Sequence, residues 1–111
     1  MIRHVPLDSR SLKLAMTVQP QAVVDFVLAR GFKLTDIKLH YSDVYERRKG
    51  KRRFQVTVPR TTRIDNYPHS IAFAAAVVAD YENRDVDDVL DEFVAASAEK
   101  KPLANKKTAA G

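Results

Sequence analysis

The chain has 111 residues, of which 45% are hydrophobic and 30% charged, with a net charge of +5. That length supports one domain around one core, and the apolar share is that of a folded chain. No cysteine is present, which excludes disulfides, zinc ribbons and thiol chemistry and is compatible with a reducing cytoplasm, the location expected here.

The charge is unevenly placed. Residues 1–79 carry 14 basic and 6 acidic side chains, residues 80–99 carry 1 and 8, and residues 100–111 add four lysines. Such asymmetry points to two surfaces of opposite sign. The longest apolar run, Ile71 to Ala79, is far short of the roughly twenty residues of a membrane span. No apolar run follows a basic start near Met1, so neither a signal peptide nor a membrane partner is expected.

In chain order, Pro6 and Asp8-Ser9 give the first ten residues an irregular reading. Leu12, Leu14, Met16 and Val18 then alternate with Lys13, Ala15, Thr17 and Gln19, which predicts a strand over 11–18. Pro20 suits a first helical residue and Gly31 a helix stop, so 20–30 reads as a short apolar helix. Ile37, Leu39 and Tyr41 alternate with Lys38, His40 and Ser42, predicting a strand over about 34–46. Val44 breaks that alternation, and a bulge near Ser42-Asp43 would explain it. Phe54, Val56 and Val58 define the returning strand over 52–58, ended by Pro59, with Gly50 at the reversal.

Arg60 to Pro68 reads as a loop. A helix over 68–82 is apolar on all sides. In a second helix over 85–98, Val86, Val89, Leu90, Phe93 and Val94 follow the i, i+3, i+4, i+7, i+8 rule. Five such side chains need a partner surface, and the all-apolar helix 68–82 needs more cover than a sheet gives. Two partners are available, helix 68–82 of the same chain or a second copy, and a homodimer with the 85–98 helices meeting across a two-fold axis is the one favoured. Residues 100–111 read as a disordered basic tail after a single domain over 1–99. The expected fold is α+β: a small antiparallel sheet with a projecting basic hairpin, in the order strand-helix-strand-strand-helix-helix.

The hairpin carries the functional reading. Arg47, Arg48, Lys49, Lys51, Arg52 and Arg53 crowd its tip, with Arg60 and Arg63 just beyond. Like charges in such density repel, and a polyanion would relieve them while releasing counterions. RNA or DNA backbone is the expected partner, with Tyr41 and Phe54 in the core and not stacking on bases.

Catalytic motifs fail: no phosphate-binding glycine loop, nucleophile elbow or H-E-x-x-H is present. Asp87, Asp88, Asp91 and Glu92 lack the spacing of an oxygen-ligand metal site, and no metal or cofactor is expected. His40, beside the cations on a polar strand face, is the one candidate general acid or base.

Gly31-Phe32, the polar-faced strand, the turn Gly50-Lys51-Arg52-Arg53, then Val56-Thr57-Val58-Pro59 and a following helix resemble the HicA-type toxins. The likeness covers about residues 22–80. It implies a fold like the double-stranded RNA-binding domain and, in an active member, RNA cleavage by a histidine early in the first ribbon strand. Asp43 stands at that position here, with His40 three residues away. A small phage or plasmid protein that binds and inhibits a host protein is a further reading, fitting the short length and split charge.

Overall fold

The computed structural model describes residues 7–110. Of the irregular start expected over residues 1–10, residues 1–6 lie outside them, as does Gly111, while Ser9 and Arg10 already belong to a helix. Among the described residues the order is α1 (Ser9–Met16), α2 (Pro20–Ala29), β1 (Lys33–Lys38), β2 (Ser42–Lys49), β3 (Arg52–Pro59), α3 (Tyr67–Glu82) and α4 (Val86–Ala110). The α+β class is as expected. The antiparallel sheet runs β1-β2-β3, with β3 at one edge.

The segment 11–18 is not a strand. Asp8 caps α1, its carboxylate accepting from the Ser11 amide at 3.2 Å and the Ser11 hydroxyl at 2.8 Å. The buried positions are Ser11, Ala15 and Val18, a helical i, i+4, i+7 spacing, while Met16 is exposed. The alternation in hydropathy is coincidental. The small residues decide the matter, because they let α1 lie close against α3 and α4.

The long first ribbon strand is also two strands. β1 and β2 are separated by Leu39-His40-Tyr41, and their register shifts between Leu34 and Lys38. The supposed core face is solvent-facing: Ile37, Leu39 and Tyr41 are all exposed. Val44 and Tyr45 are the buried residues of β2, and Phe54, Val56 and Val58 those of β3. The irregularity foreseen at Ser42-Asp43 is the start of a strand.

α3 is the centre of the molecule. One side packs on β3, and the other lies under α1 and α4. Its run of alanines permits those close approaches, and Ile71, Ala72, Ala75, Val78 and Ala79 are fully buried. Tyr67 begins the helix, wholly buried, with its hydroxyl donating to the Val18 carbonyl at 2.6 Å. Burial pushes its phenol up to about 12.

The stripe assigned to a dimer interface is occupied within the chain. Val86, Val89, Leu90 and Phe93 belong to the core, and Val94 packs against it. Phe93 meets Phe26 of α2 edge-to-face, with ring centroids 5.0 Å apart. The Ser97 hydroxyl accepts the Gln19 amide at 2.8 Å and ties α4 to the start of α2. Within the chain, α4 packs against α1, α2 and α3. The bounds of α4 take in residues 100–110, which the sequence reads as a tail.

Among the described residues no single helix is long and apolar enough to cross a membrane. α1 and α2 reach that composition only jointly, across a 90° bend, and both contribute to the core.

Candidate nucleic-acid interface

The eight-pair ribbon β2–β3 ends in a two-residue loop. Gly50 has φ +63°, Lys51 does not share a positive φ, and Lys49↔Arg52 is the closing pair. A glycine at the first central position is the type II′ pattern, which preserves the strand twist. Successive side chains then alternate between two faces. Tyr45, Arg47 and Lys49 share one face with Arg52, Phe54 and Val56, toward the helices. Val44, Glu46 and Arg48 share the other with Arg53, Gln55 and Thr57. The tip cations are thereby divided, three toward the helices, two away from them, with Lys51 exposed in the loop.

The three on the helix side are held by the chain itself. Arg52 Nη2 lies 2.6 Å from Asp80 Oδ2, and its guanidinium covers the Phe54 ring at 4.5 Å. Lys49 Nζ donates to the Tyr81 carbonyl and lies 4.5 Å from the Tyr81 ring. Both partners sit in the last turn of α3, where the helix dipole is negative and unbonded carbonyls remain. Arg47 donates to the Arg30 carbonyl at 3.1 Å, its guanidinium crossing Gly31 at a φ of +89°. The hairpin expected to project is instead folded back on α3, its tip held at the C-terminal end of that helix.

On the other face Arg48 and Arg53 stand directly opposite one another. The pair next to a closing hydrogen-bonded pair is a non-hydrogen-bonded one, with Cα atoms about 4.5 Å apart. Their side chains are 69% and 57% exposed. Both reach toward one carboxylate, Glu46, at 4.0 and 3.9 Å, the limit of an ion pair, and Glu46 already accepts from Gln55 at 2.9 Å. Lys33 pairs across from Glu46 on the same face. One shared carboxylate among these cations leaves the face positive, and directly opposed like charges cost stability.

Arg60 does not extend this patch. It donates to Asp43 Oδ1 at 2.7 Å and to the carbonyls of Ser42, His40 and Leu39 at 3.1, 2.8 and 3.2 Å. It is the clamp that closes the β1–β2 turn. Arg63 is exposed in the loop before α3.

The catalytic candidates are not assembled into a site. His40 is exposed in the turn, its ring 4.4 Å from that of Tyr41 and its carbonyl taken by Arg60. Asp43, at the position the toxin resemblance gives to a histidine, is bound in the Arg60 clamp. Tyr41 is 56% exposed, against the expected core role, whereas Phe54 is in the core.

No group of three or more potential metal ligands is found among the described residues. Of the acidic set on α4, Glu92 pairs with Arg84 and lies 3.6 Å from Arg30. Arg30 also meets Glu82 at 2.6 Å, and Arg84 meets it at 2.9 Å. Burial alone would raise the Glu82 carboxyl, but the hydrogen bonds from Arg84 and Arg30 outweigh it and hold it below its usual range. This cluster fastens the end of α2 to α3 and α4.

Sequence reasoning missed the two-sidedness of the tip and the exposure of Phe73, which is 51% accessible on α3. The first was available from Gly50, since a two-residue loop fixes which side chains share a face. Comparison with known proteins gives no match to a family model, a curated protein or a solved structure.

Proposed function

We propose that this domain binds the phosphate backbone of a nucleic acid, RNA or DNA, without cleaving it, through the helix-free face of its sheet. The contacts come from Arg48 and Arg53, with Lys51 at the tip and Lys33 at the flank. One observation carries the reading: two exposed arginines are opposed across the ribbon with a single distant carboxylate between them. Arginine forks suit phosphate oxygens, and a bound phosphate would replace repulsion by charge-assisted hydrogen bonds. Arg47, Lys49 and Arg52 serve the fold, since each is already held by α2 or α3.

The test is fluorescence anisotropy of a labelled oligonucleotide over a salt series. Each lost phosphate contact flattens the slope of log K against log salt by about 0.9 for duplex DNA and about 0.7 for single strands. Arg48→Ala, Arg53→Ala should therefore flatten it by roughly 1.4–1.8 with the fold unchanged. An unaltered slope in that variant removes this face from the reading.

A further inference from the structure

The free edge of β3 borders a groove of about 400 Å³, lined by Gln55 and Thr57 of the strand and by His69, Ser70, Phe73, Ala74 and Val77 of α3. Its position follows from the register. Gln55 and Thr57 face away from the helices, because their partners are Glu46 and Val44. α3 packs on the opposite face, where Val56 and Val58 join Ile71, Ala75 and Val78 in the core. A hollow lined by both must wrap around the edge of β3. Residues 70, 73, 74 and 77 recur at helical spacing, so one flank of α3 emerges beyond the edge as a ledge.

That ledge is built in two parts. Ala74 and Val77 are buried and form the floor, while Phe73 stands half-exposed above it. The walls are polar. The Gln55 amide nitrogen donates to Glu46, which leaves its carbonyl oxygen as an acceptor, and Thr57, Ser70 and His69 add groups that donate or accept. The volume lies in the range of small-molecule sites, and an aromatic plate beside scattered hydrogen-bonding groups suits a flat heteroaromatic ring. Charge identifies the rest of the ligand. Arg53 shares the face of Gln55 one same-face step away, about 6.8 Å along the strand, and Arg48 stands opposite it. A ring in the groove thus has an exposed guanidinium, sharing only the Glu46 carboxylate at 3.9 Å, within reach of a phosphate attached to it.

We infer that this groove takes an unpaired nucleobase stacked on Phe73, so that the domain binds single-stranded nucleic acid in preference to duplex. The inference rests on the proposed backbone contact at Arg48 and Arg53 and adds the form of the strand. A base within a duplex cannot enter the groove without being unstacked. Stacking on an aromatic side chain tolerates any base, so little sequence preference is expected.

The experiment measures anisotropy with a labelled twelve-residue oligothymidylate and with a duplex of the same length. Phe73→Ala should weaken the single strand by about 5- to 150-fold, the span of one stacking contact, and leave the duplex within about twofold. Phe73→Trp should restore binding, separating stacking from any change in α3. Ultraviolet crosslinking of the wild type should attach the oligonucleotide to the peptide containing Phe73. Single-strand affinity unchanged by Phe73→Ala overturns this inference alone, and so does a dimer that Phe73→Ala dissociates without affecting the oligonucleotide. Failure of the wild type to bind either form overturns the backbone reading as well.

Discussion

Replacing Phe93 by alanine separates the two roles open to the α4 stripe. Phe93 is fully buried and sits edge-to-face on Phe26, beside Val89 and Leu90 in the same core. Removing a buried phenyl ring costs about 3–5 kcal/mol, the transfer and cavity terms together, and the aromatic pair lies within that range. A domain of this size has a total stability of roughly 5–15 kcal/mol, so the variant should remain folded but lose a large share of it. Urea unfolding followed by circular dichroism reads the change as a fall in midpoint with the slope preserved. The same cost must appear at every protein concentration, because the contact lies inside one chain. A dimer interface would instead make the midpoint rise with concentration in the wild type and lose that dependence in Phe93→Ala. A wild-type midpoint that rises with concentration, or a Phe93→Ala variant as stable as its parent, would refute the intramolecular assignment.

Four further outcomes follow from the same geometry. Asp80→Asn should release Arg52 to the solvent and strengthen polyanion binding, with the salt slope steeper by up to about 0.9; anisotropy titration checks the sign. Arg60→Ala should loosen the β1–β2 turn at a cost of about 1–3 kcal/mol, seen as faster amide exchange near residues 39–43, while Arg63→Ala leaves exchange unchanged. Gly31→Ala should destabilise by about 1–2 kcal/mol from its positive φ, and Arg47→Ala in that background removes the overlap with the guanidinium without recovering the backbone term. Tyr67 titrates higher folded than unfolded, so the neutral phenol stabilises the fold fully below pH of about 10. That contribution is lost as pH rises toward about 12, and Tyr67→Phe should show less alkaline loss in a pH series of thermal unfolding.

Local chemistry was legible in the sequence by itself. Pro20 and Gly31 bracket α2, Gly50 sets the reversal, and Phe54, Val56 and Val58 mark the buried face of β3, because each of these signals acts within a few residues. The α+β class and the crowding of cations at the tip needed nothing more. What required tertiary structure was the partner of each surface. The alternation over 11–18 hid a helix whose small residues, Ser11 and Ala15, have meaning only against α3. With α1 read as a strand, α3 lacked a cover that a second copy was expected to supply; with α1 in place, the chain itself covers that side of α3, while the flank bearing Phe73 stays open. The tip shows the same limit. Sequence counts six cations there, but only the fold brings Asp80 and Tyr81 back across a long separation to hold Arg52 and Lys49, leaving Arg48 and Arg53 on the open face. Charge is written along the chain, whereas its neutralisation depends on which distant groups the core brings within a few ångströms.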